Sequence, residues 1–504
     1  MTESLERALD EPDTRLVVIG GGISGLVAAR ECARPGFQVT LLEASERLGG
    51  SVGRVSVAGL TVDSGAESFA TRGGHVAELI DELGLTDQIV QPLAAGAWLQ
   101  LRDKSVPIPK GGVLGIPGSP LARDVVAALG WKDALRAYAD RLMPVMKIGH
   151  EHNFGALVRR RMGQAVLDKL VAPVTTGVYS AAPDDLEVDA AAPRLNQLLT
   201  QLGSLSGAVT ELRAAAKPGS AALGLRGGMF RLVDAIEADA RARGAQIRTG
   251  SGVAGLREWA PVTEHAQETS AQDAAVGTDR PARWSVVLAD GQTLDADVVL
   301  IATPAAEALE LLRTAAPSSA RLADLDWPHG TPVELATLVV RASALNDAPR
   351  GTGLLVADEA PFEAKALTHS TAKWPWLAEA TGSDVHVVRL SYGRVGSESP
   401  VHALDDDEFC AIATREAAGL LNIPFQASDV LGFARTRWVN AVPHAVTGER
   451  ERINAVHAAV NGVEGLEVSG SWLAGTGLAS TIPDAKEAAA RVRGLRWKSL
   501  TEKD

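Results

Sequence analysis

The sequence predicts a mixed α/β protein. A Rossmann-type dinucleotide-binding domain, assembled from discontinuous segments, stands beside a second domain of mixed sheet and helices with a helical segment. Three observations predict this fold class. Residues 16–43 follow the order strand, glycine turn, helix, strand, acid. A second buried β-type run ends at Pro304, and a glycine-rich turn around Gly477 opens the last helix. The length of 504 residues exceeds what one hydrophobic core serves, so at least two domains are expected.

The glycine turn at residues 20–25 is the first element that this fold requires. Gly20 permits a tight turn, Gly22 lets backbone N–H groups approach a pyrophosphate, and Gly25 lets the following helix pack closely on the sheet. The partial positive charge at the helix N-terminus then attracts the phosphates. The pattern therefore predicts a dinucleotide site at Gly20, Gly22, Ile23, Ser24 and Gly25.

The second strand ends in Glu43 and continues into a further glycine pair. A carboxylate at this position accepts hydrogen bonds from ribose hydroxyls. The continuation through Arg47 to Gly49 and Gly50 resembles an extension found in flavoproteins of the amine-oxidase-like superfamily, whereas nicotinamide dehydrogenases do not need it. The resemblance implies that the dinucleotide is FAD, bound tightly and without a covalent bond, with these residues along its pyrophosphate and flavin-side ribose.

The composition argues against several other classes of protein. Apolar residues make up 46% and charged residues 22%, as in globular enzymes, and the net charge of −13 argues against nucleic acid or an anionic membrane surface as a partner. The two cysteines, Cys32 and Cys410, predict neither a disulfide framework nor a metal site. Residues 1–13 are acidic and unlike a signal peptide, and no run reaches the roughly 18 apolar residues of a transmembrane helix, so we expect a cytoplasmic protein.

The order of the remaining elements predicts that the two domains are interleaved. Residues 98–120 are rich in Gly and Pro and predict loops or hairpins, residues 121–202 have a helical period, and residues 203–222 predict a loop. The polar segment 260–283 has no apolar period and predicts a solvated insertion in a hairpin. The expected segments of the dinucleotide-binding domain are 1–97, 223–305 and 436–504, and those of the substrate-binding and helical regions are 98–222 and 306–435.

The whole chain resembles the protoporphyrinogen and coproporphyrinogen oxidase family, a branch of the amine-oxidase-like flavoproteins. The resemblance rests on five stretches in order. They are the N-terminal motif described above, VDSGAESFATR at 62–72, LVAPVTTGVYSAAPDDLEVDAAAPRL at 170–195, TRWVNAVPHAVTGERERI at 436–453 and SGSWLAGTGLASTIPDAKEAA at 469–489. The third and fourth stretches separate this branch from the amine oxidases.

The resemblance implies an activity. Bound FAD would oxidise coproporphyrinogen III to coproporphyrin III in haem biosynthesis, in three two-electron steps, with O₂ reoxidising the flavin and yielding H₂O₂. The Gly-rich composition and the lack of a targeting segment favour this bacterial type, and protoporphyrinogen IX is the alternative substrate. An amine or carotenoid-type flavin oxidase stays open, as does a flavin-binding or porphyrin-carrying protein without activity. Transient contact with a ferrochelatase that takes the product is a further expectation.

The resemblance also assigns residues to the substrate and to the cofactor. Arg72 is the candidate partner of a substrate carboxylate, because a guanidinium group pairs bidentately with a carboxylate. Gly177 and Tyr179 match the family's substrate-side loop, where a glycine allows the macrocycle to approach closely. The other residues assigned to FAD are Gly65, Ala66, Glu67, Val253, Trp438, Gly470, Gly477, Thr481 and Ile482.

The sequence assigns no catalytic base. His369 and His444 are possible proton acceptors, although a lone histidine is more often structural, and Arg54, Arg226 and Arg435 are further cations for the pocket, without support from position.

Three departures from the family pattern leave the choice of porphyrinogen open. They are Ser51 after the paired glycines, Pro443-His444-Ala445, and Gly448-Glu449. Cys410 lies about 60 residues before the C-terminal flavin strand, too early for the cysteine of a covalent flavin.

Overall fold

A computed structural model describes residues 12–143, 151–179, 181–215, 222–259, 282–315, 322, 325–328, 330–394, 399–441 and 446–501. Two large sheets organise them: a five-stranded parallel sheet and a seven-stranded, mostly antiparallel sheet. The predicted mixed α/β class is confirmed. The proposed domain boundaries stay a prediction.

The five-stranded sheet draws its strands from distant parts of the chain. Leu16 pairs with Val39 on one side and with Val298 on the other, and every neighbouring pair of strands is parallel. Parallel strands buried on both faces are continuous apolar runs, which is why 16–19 and 298–301 are visible in the sequence. In spatial order the strands are Gln246–Arg248, Phe37–Leu42, Thr14–Ile19, Val298–Ile301 and Leu466–Val468.

Helices cover one face of the five-stranded sheet, and helices with a small sheet cover the other. On the first face Leu26, Ile236 and Ile482 are completely buried in one cluster. The helices of this face are Ile23–Cys32, His75–Glu82, Phe230–Ala242 and Leu478–Thr501. The second face packs against the antiparallel strands Val253–Glu258, Trp284–Leu288 and Thr293–Ala296 and the helices Ala305–Ala315 and Glu449–Asn461.

The seven-stranded sheet forms the core of the second region. Its one parallel pair joins Trp98–Gln100 to Gly353–Val356. Helix Asp406–Leu421 packs on the sheet and begins with a capping box, in which Asp405 accepts from the Glu408 amide and Glu408 accepts from the Asp405 amide. In spatial order the strands are Val430–Ala441, Thr331–Arg341, Val385–Tyr392, Ala366–His369, Gly353–Val356, Trp98–Gln100 and Ser105–Pro107.

Residues 121–202 are largely helical where they are described, as predicted. The helices are Arg123–Leu129, Trp131–Tyr138, Phe154–Met162, Gln164–Val166, Ala172–Tyr179, Val188–Ala191 and Leu195–Leu202, with a π-helical turn at Leu167–Val171. None of the helices in the described ranges is both long enough and apolar enough to span a membrane.

The loop predicted for residues 203–222 is wrong in its first half. A helix runs over Leu205–Ala214, and its N-terminus is capped by Ser204, whose Oγ accepts from the Gly207 amide. Leu205 and Val209 are completely buried, so packing against the neighbouring helices outweighs the glycine and serine content that suggested a loop. Residues 216–221 lie outside the described residues.

Short strands and helices complete the chain. The segment 98–120 contains the predicted hairpin, Gly112–Val113 with Ile116–Pro117. Most of the predicted insertion, residues 260–281, lies outside the described residues, and the strands on its two sides pair as a hairpin. The remaining β-strands and α-helices of the described residues are Arg54–Val57, Leu60–Asp63, Phe69–Ala70, Ile89–Val90, Ala222–Leu225, Ser370–Lys373, Pro375–Thr381 and Ser471–Ala474.

Candidate dinucleotide and redox site

The glycine turn has the backbone geometry that a close approach requires. Gly20 has a φ of +108°, a conformation that L side chains rarely adopt. A Cβ atom on Gly25 would lie 1.9 Å from the Gly20 carbonyl oxygen, whereas a Cβ atom on Gly22 would meet nothing within 4 Å. Gly25 therefore permits the contact between helix and turn, and Gly22 borders open space.

The first helix presents its N-terminus to this open space. The helix begins at Ile23 with Gly22 as its N-cap residue, and among the described residues no side chain caps it. Its first turn contains no acidic residue, so no side chain of that turn neutralises the positive end of the helix dipole. Backbone N–H groups at an uncapped helix N-terminus bind phosphate groups. The terminus, including Ser24, therefore fits a dinucleotide pyrophosphate.

The second glycine pair lies directly beside the first turn. The Gly49 amide donates to the Gly21 carbonyl oxygen over 2.8 Å, and Gly22 and Gly49 form a parallel bridge. Gly49 and Gly50 have φ values of +107° and +54°, which explains why glycines occupy both positions. Arg47 is exposed at the start of this loop, with its Nη1 atom 3.4 Å from a backbone carbonyl oxygen.

Glu43 lies at the end of the second strand, next to the glycine turn. Its Oε2 atom accepts from the Gly21 amide over 2.7 Å, and its Oε1 atom accepts from the amide and hydroxyl of Ser45. The Ser251 amide donates to the Glu43 carbonyl oxygen over 2.7 Å, which brings the loop before Val253 to the same place. The structure thus brings Glu43 next to the loop that leads to Val253, a residue about 210 positions later that the resemblance also assigned to FAD.

The segment predicted to meet the flavin packs tightly against the second glycine loop. A Cβ atom on Gly65 would lie 2.1 Å from the Ser51 carbonyl oxygen, and the Ala66 amide donates to that same oxygen over 2.9 Å. Trp438 donates from its indole Nε1 to the Ser64 carbonyl oxygen over 3.3 Å. Gly65, Ala66 and Trp438 therefore form one contiguous cluster.

Glu67, by contrast, is engaged by cations of the second region. Its Oε1 atom lies 2.6 Å from Lys373 Nζ, and its Oε2 atom lies 3.4 Å from Arg389 Nη2. Burial opposes ionisation of Glu67, but the charges of Arg389 and Lys373 outweigh it and hold the pKa of this carboxyl below its usual value. The side chain of Glu67 is thus a buried anion of an ion-pair cluster.

Asp63 connects this segment to the helix Phe230–Ala242. Its carboxylate accepts from the Met229 and Phe230 amides, each over 3.0 Å, at the start of that helix. Burial raises the pKa of Asp63 to about 6, against the lowering effect of these two hydrogen bonds.

The C-terminal glycine turn closes the site. Asp484 accepts from the Gly470 amide over 3.2 Å and from the Ser469 hydroxyl over 2.6 Å. Gly477 has a φ of +98° and precedes the last helix, where the Thr481 hydroxyl donates to the Gly477 carbonyl oxygen over 3.1 Å. Ile482 is completely buried under this turn.

Arg72 reaches this same turn. It is exposed, and its Nη2 atom donates to the Ser480 hydroxyl over 2.8 Å. Gly177, another substrate candidate, lies inside the helix Ala172–Tyr179 rather than in a loop, and its contact with the substrate stays a prediction. A Cβ atom on Gly177 would lie 3.1 Å from Leu355 Cδ2 of the second sheet, and Gly177 is exposed. The side chain of Tyr179 lies outside the described residues.

The secondary candidates have structural roles where they are described. His369 is completely buried, its Nε2 atom lies 3.1 Å from His386 Nδ1, and burial lowers its pKa to about 4. His444 lies outside the described residues. Each candidate arginine pairs with a carboxylate: Arg54 with Asp234, Arg226 with Glu379, and Arg435 with Glu334.

Sequence reasoning missed four polar residues at the site. Asp63 and Asp484 lie within the stretches that carry the resemblance, so an acid beside each glycine turn was a usable signal. Lys373 and Arg389 are more than 300 positions from Glu67, and nothing local in the sequence connects them.

A parallel sheet with an uncapped, glycine-flanked helix N-terminus and an acid after the second strand defines a dinucleotide-binding protein. The chain belongs to the family of flavin containing amine oxidoreductases, which matches residues 23–493. Membership of this family indicates that the chain binds a flavin cofactor, as the glycine loop at Gly49 predicted.

Similar proteins are found along nearly the whole chain. A coproporphyrinogen III oxidase of Propionibacterium freudenreichii is 29% identical, over 96% of this chain and 91% of that protein. A coproporphyrinogen III oxidase of Bacillus subtilis is 27% identical, over 94% of this chain and 96% of that protein. The crystal structure of a putative protoporphyrinogen oxidase from Exiguobacterium sp. 255-15 superposes with a TM-score of 0.79 at 25% identity, covering 96% of this chain and 99% of that chain.

Proposed function

We propose that this chain oxidises coproporphyrinogen III to coproporphyrin III in haem biosynthesis, with FAD as its redox cofactor. The observation that carries the proposal is the similarity to bacterial coproporphyrinogen III oxidases along 94–96% of the chain. The matched residues include the dinucleotide site and the second region, which are the two parts of the chain that we expect to bind the cofactor and the substrate.

The stoichiometry follows from the oxidation states. Conversion of a porphyrinogen to a porphyrin removes six electrons and six protons. Three flavin cycles remove two electrons each, and O₂ as acceptor gives three H₂O₂. When bound, FAD supplies this two-electron chemistry, and the protein supplies binding, orientation and electrostatics.

The chain offers a holding group for each part of FAD. Glu43 would accept from the ribose hydroxyls, and the amides of Ile23, Ser24 and Gly25 would bind the pyrophosphate. Gly65 and Ala66 would lie along the flavin. Gly477 and Thr481 lie at the N-terminus of the last helix, whose dipole would favour negative charge on the flavin.

Arg72 is the substrate residue that we propose on this basis. Its guanidinium is exposed and ends at the C-terminal glycine turn, within reach of a carboxylate that approaches the flavin side. Coproporphyrinogen III carries four carboxylates, so a cation at this position offers a charge-assisted hydrogen bond. The overall charge of −13 would repel such an anion, and local arginines must therefore provide the attraction.

The test is porphyrin fluorescence in air with purified, FAD-loaded protein, using coproporphyrinogen III and protoporphyrinogen IX in parallel. Faster formation of coproporphyrin supports the proposal, and a matching release of H₂O₂ supports O₂ as acceptor. Protein boiled before the assay gives the spontaneous rate. Equal spontaneous and enzymatic rates for both substrates would contradict the proposal.

Protoporphyrinogen IX oxidation is the second candidate. It is favoured by the Exiguobacterium structure, which is described as a putative protoporphyrinogen oxidase. A clear preference for protoporphyrinogen IX in the same assay would establish it. Turnover of amines without porphyrin formation would instead indicate an amine oxidase, and yellow protein inactive on all these substrates would indicate a carrier.

A further inference from the structure

The segment from Asp63 to Glu67 lies between the two sheets. Two side chains of the second region bind it. Arg389 belongs to the strand Val385–Tyr392 of the seven-stranded sheet, and Lys373 ends the short helix Ser370–Lys373 beside it. Both side chains cross to residues more than 300 positions earlier in the chain. They thus connect the second region to the segment that carries Gly65.

Arg389 makes three contacts with this segment at once. Its Nη1 atom donates to the Gly65 carbonyl oxygen over 2.8 Å and lies 3.3 Å from the Asp63 carbonyl oxygen, and its Nη2 atom lies 3.4 Å from Glu67 Oε2. The planar guanidinium fork allows these directions together, whereas a lysine ammonium on a flexible stem does not hold them in one geometry. Arg389 therefore fixes backbone and side chain of the same segment.

Lys373 completes the cluster from the other side of Glu67. Its Nζ atom lies 2.6 Å from Glu67 Oε1, and only 22% of the Lys373 side chain and 10% of the Glu67 side chain are exposed. Loss of one partner from an ion pair that is mostly removed from water leaves an uncompensated buried charge and is strongly destabilising. The two cations therefore act on one buried carboxylate, and both contribute to compensating its charge.

The fixed segment in turn determines where Gly65 and Ala66 lie. On the other side, the Ala66 amide bonds to the Ser51 carbonyl oxygen, and the position of a Gly65 Cβ is only 2.1 Å from that oxygen. The segment is thus clamped between the second glycine loop and Arg389. A displacement of Arg389 therefore acts directly on the backbone at Gly65, through the 2.8 Å hydrogen bond from its Nη1 atom to the Gly65 carbonyl oxygen.

We propose that Arg389 and Lys373 are positioning residues that set the Gly65–Glu67 segment against the flavin. They act through Glu67 and the Gly65 carbonyl. The proposal rests on the proposed function only in assigning Gly65 and Ala66 to the flavin. It assigns a function to two cations of the second region, one on the sheet and one on the helix beside it, that the glycine motifs do not predict.

The test compares Arg389→Lys with Arg30→Lys in the FAD-loaded protein. Arg30 is a matched control because it is 2% exposed and bonds to Asp239, Glu82 and Glu31, but it lies late in the first helix. Both changes keep the charge and lose the guanidinium fork. The readouts are the visible absorbance and fluorescence of the bound flavin, the Kd for FAD, the melting temperature, and kcat and KM.

The two variants should differ in the flavin and not only in stability. We expect Arg389→Lys to shift the flavin spectrum, to raise the Kd for FAD and to lower kcat about tenfold with little change in KM, because small misplacements at a reacting centre are costly. Arg30→Lys should lower the melting temperature and leave the flavin spectrum and kcat unchanged. Should Arg389→Lys fail to fold, Lys373→Gln replaces it, with a smaller change in the same direction.

The outcomes separate this inference from the proposed function. An unshifted flavin spectrum, Kd and kcat in a folded Arg389→Lys protein would overturn the positioning role. Wild-type protein that binds FAD but oxidises no porphyrinogen would overturn the proposed function, and the spectrum and Kd of the two variants would still decide the inference.

Discussion

The two large sheets differ in the kind of structure that they organise, backbone conformation in one and buried side-chain charge in the other. The five-stranded sheet presents backbone: the N-terminus of the helix at Ile23 and the unusual conformations of Gly20 and Gly49. The seven-stranded sheet presents buried side-chain charge. Glu334 is completely buried there and accepts from His402 over 2.6 Å and from two arginines. A backbone site depends on the absence of side-chain atoms, whereas a charge cluster depends on the presence of every partner.

The largest effect should come from adding one carbon atom to the backbone site. In Gly25→Ala the new Cβ would lie 1.9 Å from the Gly20 carbonyl oxygen, a backbone atom that cannot move aside alone. We expect a loss of about 3 kcal/mol in stability or no folded protein. Gly22→Ala is the control, because its Cβ meets nothing within 4 Å, so it should keep the melting temperature and lose flavin affinity. Equal melting temperatures for the two variants would contradict the described turn.

Neutralising Glu334, the central carboxylate of the charge cluster, should lower stability almost as much as Gly25→Ala. Glu334→Gln leaves Arg435 and Arg437 around a neutral group, and we expect a loss of about 3 kcal/mol in the stability of the seven-stranded region. Asp406→Asn is the control: Asp406 is 72% exposed and lies 3.4 Å from Arg435, so its loss should change little. Chemical denaturation at pH 7 measures both.

The pH dependence of Glu334→Gln gives an independent check. Burial opposes ionisation of Glu334, but the hydrogen bonds from Arg435, His402 and Arg437 outweigh it and lower its pKa to about 2. Because the folded-state pKa lies below the ordinary value of 4.5, the stabilisation is present above pH 4.5 and is lost as the pH falls toward 2. The Glu334→Gln variant should not show this loss of stability in acid, so its free energy of unfolding should approach that of the wild type at low pH.

Asp63 lies between the glycine-turn region and the charged residues of the second region. The pH dependence of its contribution to stability is opposite in direction to that of Glu334. Burial raises the pKa of Asp63 to about 6, so its contribution to stability is present below the ordinary value of 3.8 and is lost as the pH rises through 6. In Asp63→Asn, the decrease in stability that Asp63 causes between pH 4 and 7 should be absent. Asp234→Asn, at a half-exposed carboxylate on the adjacent helix, should keep the wild-type pH response. Melting temperatures measured across this range decide the point.

The difference between the sheets also explains what the sequence could predict. The glycine turn, Glu43 and the last helix are visible because each is encoded within a few residues, and the strand at 298–301 is visible as an apolar run. The contacts of Glu67 with Lys373 and Arg389 were not predictable, because they depend on how distant strands are placed. The loop predicted at 203–222 failed for a related reason: burial of Leu205 and Val209 is tertiary information.

The smallest effect should come from Arg72, where the backbone site meets solvent. Its guanidinium bonds to the Ser480 hydroxyl, so it is already aligned on the C-terminal glycine turn without being part of the buried cluster. Arg72→Met should leave the melting temperature unchanged and raise KM for coproporphyrinogen III about tenfold, the loss expected for one charge-assisted hydrogen bond. Arg226→Met, at an exposed arginine paired with Glu379, is the control and should leave KM unchanged. Ser480→Ala should raise KM less than Arg72→Met, because it removes the alignment of the guanidinium and keeps its charge. A fall in kcat at constant KM would instead place Arg72 among the residues that orient the flavin, and the carboxylate-binding role would be wrong.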